Sequence, residues 1–195
     1  MKAVLMSIHP EYCEKIFNGE KTLEIRRTVP KLAPPFKVYV YCTKDPKKFL
    51  WAAPRYFYCD DRAHNGFDKP LNGKVIGEFI CKSVVRWPCY GTQSGDKNEL
   101  WYDVGIENLK NACLSMRQLL AYGKGSELYA LTVSSLRLYS TPKELNRFIR
   151  PCPKNLMCEE CDHFFELADK CGNPYLRLKR PPQSWCYVEN WHFDN

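Results

Sequence analysis

The apolar residues of this chain come in short alternating runs, never in a long stripe, and this restricts the folds open to it. Residues 2–8, 21–27, 37–42, 74–86, 128–139 and 185–189 read as strands, rich in Val, Ile, Leu, Tyr and Phe and set apart by turn-forming residues. The 37–42 run is apolar or aromatic on both faces, which predicts a central strand. Gly77 marks a bend or bulge in the 74–86 strand. Helices are short. Pro10 suits a first turn, Tyr12, Cys13, Ile16 and Phe17 share a face, and Gly19 follows as a stop, so a helix spans 10–18. Ser115 caps a second over 116–122, ended by Gly123, and a third is expected near 159–170. Residues 87–111 read as irregular. Residues 43–73 read as a long insertion with one short helix. The sum is an α+β fold, mainly β: a small barrel with a few short flanking helices and a Cys-rich C-terminal extension.

With 195 residues the chain buries a core without crosslinks. It holds no run of about 18 apolar residues, which excludes a transmembrane helix. The N-terminal apolar stretch is too short for a secretory signal, so a cytoplasmic protein with no membrane partner is expected. Net charge is +7, unevenly spread: residues 1–50 carry ten Lys/Arg against five Asp/Glu. A phosphate-rich partner explains such a surplus, and so does plain solubility. Eleven cysteines, an odd number, argue against a disulfide framework and leave buried thiols, a metal site or a nucleophile.

The densest block of chemistry is Gly19-Glu20-Lys21-Thr22-Leu23-Glu24-Ile25-Arg26, preceded by His9-Pro10-x-Tyr12. Gly19 lets the chain reverse. Leu23 and Ile25 point one way; Thr22, Glu24 and Arg26 point the other. Glu24 can accept from a base's amino group or hold Arg26 for a phosphate. By parity Lys21 follows Leu23 inward, so either the turn re-aims it or it lines a cleft. A solvated strand face with a weak i,i+2 ion pair is the plainer alternative.

This block resembles the ASCH family, a branch of the PUA-like barrels, in which a His/Lys-Pro helix leads into G-x-K-x-x-E-x-R. Gly19, Lys21, Glu24 and Arg26 match each fixed position. The resemblance covers about residues 1–140, as a barrel with the 43–73 insertion, plus a closing strand in 185–195. Residues 141–184 form the Cys-rich extension. It implies a cleft between barrel and first helix that binds RNA or a modified nucleoside or nucleotide, through His9, Lys21, Thr22, Glu24, Arg26 and Arg27. Some relatives hydrolyse N4-acylated cytidines with a Lys, a Thr and a Glu. Here Glu24 fills the place of that Thr, so such turnover is expected to be weak or absent. If the chain is an enzyme, an amidohydrolase or a nuclease, then Lys21, Glu24 and Glu78 are the candidates. Glu78 shares a face with Ile76 and Ile80, where a semi-buried carboxyl can act as acid or base or form a structural ion pair.

Two further features bear on function. Trp51, Tyr56 and Tyr58 stand near Lys47, Lys48 and Arg55, a mixture that suits single-stranded RNA but also pins loops. Cys152, Cys158, Cys161 and Cys171 lie within twenty residues, with His163 as a spare. Four soft ligands with one C-x2-C pair suit a structural zinc; four scattered reduced thiols are the alternative. Three classes therefore compete: a binding module, which is favoured, a small hydrolase or nuclease, and a protein-interaction domain. A ligand-sized pocket with Lys21 and Glu24 converging favours an enzyme, an open basic groove favours RNA, and a flat apolar patch favours a protein partner.

Overall fold

A computed structural model describes residues 2–52, 57–60, 70–94, 97–152 and 173–190. Twelve strands and three α-helices are found among them: β1 Lys2–Ile8, α1 Pro10–Phe17, β2 Leu23–Arg26, β3 Phe36–Cys42, β4 Phe49–Ala52, β5 Phe57–Asp60, β6 Val75–Cys81, β7 Val84–Trp87, β8 Cys89–Ser94, β9 Lys97–Tyr102, α2 Ile106–Ala112, α3 Met116–Gly123, β10 Leu128–Thr132, β11 Ser134–Lys143 and β12 Trp185–Glu189. A five-stranded sheet runs β11-β6-β3-β1-β12, with β1 and β3 parallel and the other pairs antiparallel. A three-stranded antiparallel sheet runs β2-β10-β7, and two hairpins, β4-β5 and β8-β9, complete the strands. This is the mainly-β α+β architecture expected, with the chain passing between the two larger sheets at two corners.

Those corners correct two single-strand expectations. Residues 74–86 and 128–139 each split, one part in each sheet. At the first corner the N–H groups of Lys82 and Ser83 both donate to Thr132 Oγ1 at 2.9 Å, so the exposed backbone of the step is satisfied. At the second, Ser135 takes φ 48°. Alternation continues through both steps, so periodicity alone does not reveal them.

Three apolar clusters hold the layers. Val4, Met6, Ile8, Val38, Val40 and Phe79 meet Cys13 and Ile16 of α1 on one face of the large sheet. On its other face Leu5, Tyr39, Tyr139 and Val188 meet Phe148 and Leu178, from beyond β11 and before β12. Ile25, Trp87, Leu128 and Ala130 of the small sheet pack on Ala112 and Leu119 of α2 and α3, with Tyr102 of β9. The register shift between Val75 and Gly77 is the bulge expected at Gly77. A Cβ there would lie 2.5 Å from the Arg137 carbonyl and 2.8 Å from the Phe17 ring.

Other local expectations are corrected. Among its described residues the 43–73 insertion carries the β4-β5 hairpin and no helix. Asn18 fixes it to α1, donating from Nδ2 to Phe57 O and accepting from Phe57 N, each at 2.9 Å. Residues 87–111 are ordered as β8, β9 and α2. Gly123 belongs to α3, and the left-handed cap falls on Lys124; Gly123 is needed because a Cβ would meet the Tyr102 hydroxyl at 1.8 Å. The helix expected at 159–170 lies outside the described residues. No described helix is long and apolar enough to cross a membrane.

Candidate functional site

The G-x-K-x-x-E-x-R block wraps the end of α1 into β2. Gly19 takes φ 80°, a value open to glycine, and the amides of Glu20 and Lys21 both return to the Lys15 carbonyl. That turn re-aims Lys21 away from the Leu23 and Ile25 face. Its Nζ donates to Ala112 O, the last carbonyl of α2, at 2.6 Å, where the helix end carries partial negative charge. It also stands 3.5 Å from Glu24 Oε2 and 5.1 Å from the centre of the Tyr12 ring. Glu24 Oε1 accepts from Arg26 Nη2 at 2.9 Å, and the same Nη2 donates to Ser7 O of β1 at 2.7 Å. Ser184, just before β12, accepts from Arg26 Nη1 through both its carbonyl and its hydroxyl at 3.4 Å. One short block thus ties β1, α2 and the approach to β12 to one another.

All three charges are buried: Lys21 is 2%, Glu24 6% and Arg26 7% exposed. The plainer alternative of a solvated charged face gives way to a desolvated cluster of two cations and one anion. Burial pushes the Lys21 pKa below its ordinary value, while the Glu24 charge works against that shift. Burial, with Glu11 and Glu24 nearby, pushes Tyr12 up. Arg26 Nε is buried with no hydrogen-bond partner in the described structure.

Over this cluster opens a cleft of about 140 Å³, walled by Ser7, Ile8 and His9 at the end of β1, Tyr12 of α1, and Leu114, Gln118 and Tyr122 at and along α3. Ser115 sets that wall with a capping box: its hydroxyl accepts from Gln118 N at 3.3 Å, and Gln118 Oε1 accepts from Ser115 N at 2.8 Å.

Of the residues expected at the site, Lys21, Glu24, Arg26 and His9 line the cleft. His9 is exposed, 3.8 Å from Asp45. Arg27 is exposed at the mouth, its guanidinium 5.7 Å from the centre of the Tyr122 ring. Thr22 does not line the cleft: it is exposed, and its backbone splices β2 to Asn111 and Val133. Nor does Glu78. The bulge breaks its alternation with Ile76, and its carboxylate accepts from the Tyr139 hydroxyl at 2.6 Å and meets Lys37 Nζ at 3.1 Å. Trp51 is buried, which makes it a pin for its hairpin. Tyr56 and Arg55 lie outside the described residues, as do Cys158, Cys161, Cys171 and His163; Cys152 is exposed and free. Among the described residues no three His, Cys, Asp or Glu side chains converge as a metal site.

Tyr12, Gln118 and Tyr122 are the wall residues that sequence reasoning did not place. Tyr12 had a signal, its position two residues after Pro10 in the His-Pro helix. Gln118 and Tyr122 come from a helix nearly a hundred residues further on and carry no local mark.

No family model matches the sequence. A curated relative, an ASCH domain-containing ribonuclease from Zymomonas mobilis subsp. mobilis, is 27% identical over 126 residues, 65% of this chain. The chain spans 60% of that relative's length. The crystal structure of ASCH from Zymomonas mobilis superposes with a TM-score of 0.50 at 18% identity, covering 96% of this chain and 87% of that one. A point variant of the same protein gives a TM-score of 0.50 at 19% identity, over 97% and 91% of the two chains. In sequence and in fold the chain is similar to ASCH domain proteins. In this chain the G-x-K-x-x-E-x-R block serves the cleft and the frame at once.

Proposed function

We propose that the ASCH cleft binds RNA, holding one nucleotide of a single strand over Lys21, Glu24 and Arg26. The observation that carries this reading is a cleft floored by a buried cluster whose cations outnumber its anion two to one. A desolvated ammonium and guanidinium favour an anionic ligand far more than solvated ones do. The orphaned Arg26 Nε–H adds a donor whose isolation is costly and which a ligand oxygen satisfies. A volume of about 140 Å³ is well under the range of drug-sized pockets, and suits one base or sugar. Tyr12 and Tyr122 offer rings for stacking on either wall. The relative described as a ribonuclease supports RNA as the polymer.

Cleavage of that RNA is the second reading. It is favoured by the convergence of Lys21 and Glu24 in the cleft, 3.5 Å apart, where a buried cation can stabilise the charge of a pentacoordinate phosphorus. Hydrolysis of N4-acetylcytidine is not supported, because the cleft holds Glu24 in place of a hydroxyl and Thr22 lies outside it.

Fluorescence anisotropy with labelled oligouridylate tests the binding, and a gel of the same RNA tests cleavage. Lys21→Ala is expected to weaken binding by about 1–3 kcal/mol, the worth of a charged contact. No binding at about 50 mM salt, or binding indifferent to Lys21→Ala in a variant that still melts cooperatively, refutes the reading.

A further inference from the structure

The face of the small sheet that carries Glu24 and Arg26 continues past the cleft. Antiparallel register sets Tyr129 beside Arg26, and Arg86 beside Tyr129. These three residues form one row across β2, β10 and β7, about 10 Å from end to end at two strand spacings. Glu127 holds its outer half. Its Oε2 accepts from Arg86 Nε and Nη2, each at 2.5 Å, and its Oε1 accepts from the Tyr129 hydroxyl. The guanidinium and the ring are thus fixed before any ligand arrives, although the Arg86 side chain is 66% exposed. Nη1 of Arg86 has no partner among the described residues.

Alternation then carries the row onto the next hairpin. Trp87 and Cys89 turn into the core under α2 and α3, so Arg86 and Tyr90 share the opposite side. Tyr90 lies within electrostatic reach of Arg86. Across β8-β9 it stacks on Trp101, with ring centres 5.9 Å apart at 26°, and the two are 45% and 41% exposed. A pre-stacked aromatic pair beside a clamped arginine has no role in the cleft and none in the core.

We propose that this face is a second nucleic-acid subsite, where single-stranded RNA leaving the cleft lays a phosphate on Arg86 and a base on the Tyr90–Trp101 rings. The proposal rests on the RNA reading of the cleft. Three observations choose this occupant. The row is continuous with Arg26, a cleft residue. A guanidinium interleaved with rings is the pattern that follows a single strand, since only unpaired bases offer a π-face. The chain's net charge of +7 suits a polyanion.

The test uses the full chain and two 2′-O-methyl oligouridylates, a trimer that fills the cleft alone and a dodecamer that also reaches the rings. The 2′-methyl blocks attack by the 2′-oxygen, so binding is read without cleavage. Tyr90→Ala with Trp101→Ala is expected to weaken dodecamer binding by about 5- to 150-fold, and to leave the trimer unchanged. Tyr90→Phe with Trp101→Phe keeps the rings and is expected to keep dodecamer affinity, which separates stacking from a folding defect. If the double Ala variant binds the dodecamer as wild type while Lys21→Ala weakens both lengths, the rings belong to a protein contact and this proposal falls alone. If wild type binds neither length, the RNA reading falls and takes this subsite with it.

Discussion

Glu24→Gln keeps the shape of the side chain and removes the one carboxylate that stands between two buried cations. Glu24 lies 2.9 Å from Arg26 and 3.5 Å from Lys21, in a cluster where no member is more than 7% exposed. Breaking a buried ion pair from one side costs about 3–5 kcal/mol, because the partner charge stays behind in a poor solvent. Lys21 keeps the Ala112 carbonyl, and Arg26 keeps oxygens of Ser7 and Ser184. The lower end, about 3 kcal/mol, is therefore expected. In a chain of 195 residues that lowers Tm by about 6–12 °C. The pH dependence is sharper still. Burial lowers the folded Lys21 pKa below 10.5, and Glu24 is the largest influence raising it. Between the folded value and 10.5 the unfolded chain binds more protons, so the Lys21 contribution to stability grows as pH rises. Without Glu24 the folded value falls further, and that gain begins at lower pH. The deficit of Glu24→Gln against wild type is therefore widest at neutral pH and narrows on the alkaline side. Urea denaturation followed by tryptophan fluorescence, from about pH 6 to about pH 10, measures it. A deficit under about 1 kcal/mol, the worth of an exposed pair, or one that widens with pH, refutes the account of the cluster as desolvated.

Three other outcomes are expected. Ser115→Ala removes the hydroxyl that receives the Gln118 amide and should cost about 1 kcal/mol in thermal melts, with faster amide exchange in α3 where it lines the cleft. Gly77→Ala drives a Cβ into the Arg137 carbonyl and the Phe17 ring, and is expected to destabilise by about 1–3 kcal/mol, read by the same melts. Protein purified without chelators should carry about one zinc per chain if Cys152, Cys158, Cys161 and Cys171 form a four-thiolate site, and Cys158→Ser should release it; metal analysis near zero means reduced thiols.

Alternation and glycine placement made β1, α1, β3, β12 and the Gly77 bulge legible, because each carries its pattern within a few residues even where its partners lie far away. The site was legible where one turn decides it. Gly19 and the i,i+2 spacing of Glu24 and Arg26 put three charges together. Their burial was not legible, since it depends on Ser7, Ala112 and Ser184, which arrive from three distant segments. Glu78 forms the structural ion pair that was one of its two readings, but its face was hidden for the opposite reason. Its alternation with Ile76 looked local, but the register shift beside Gly77 separates the two. The corners at Lys82–Ser83 and near Ser135 were hidden because the strand pattern runs through them, while Thr132, which satisfies the first, lies about fifty residues away.

The charge surplus of the first fifty residues also has a different meaning once the cluster is known, and it sets a last expectation. Ten cations against five anions suggested a basic surface and binding that collapses in salt. Yet Lys21 and Arg26 are buried around Glu24, and Lys37 is paired with Glu78 at 3.1 Å. The cluster presents a net charge of one to the cleft, and Arg27 at the mouth adds a second. Arg86 on the neighbouring face is paired with Glu127 as Lys37 is with Glu78, so it offers a long strand a donor but no net charge. Each phosphate neutralised on single-stranded RNA contributes about −0.7 to the slope of log K against log salt, so two give about −1.4. A trimer confined to the cleft should show nearly the same slope as the dodecamer, because the Arg86–Glu127 pair brings no net charge to the longer strand. Anisotropy titrations across salt concentrations measure both. A dodecamer slope steeper than about −4 would mean that exposed lysines elsewhere carry the RNA, and that the buried cluster is a structural brace and not its seat.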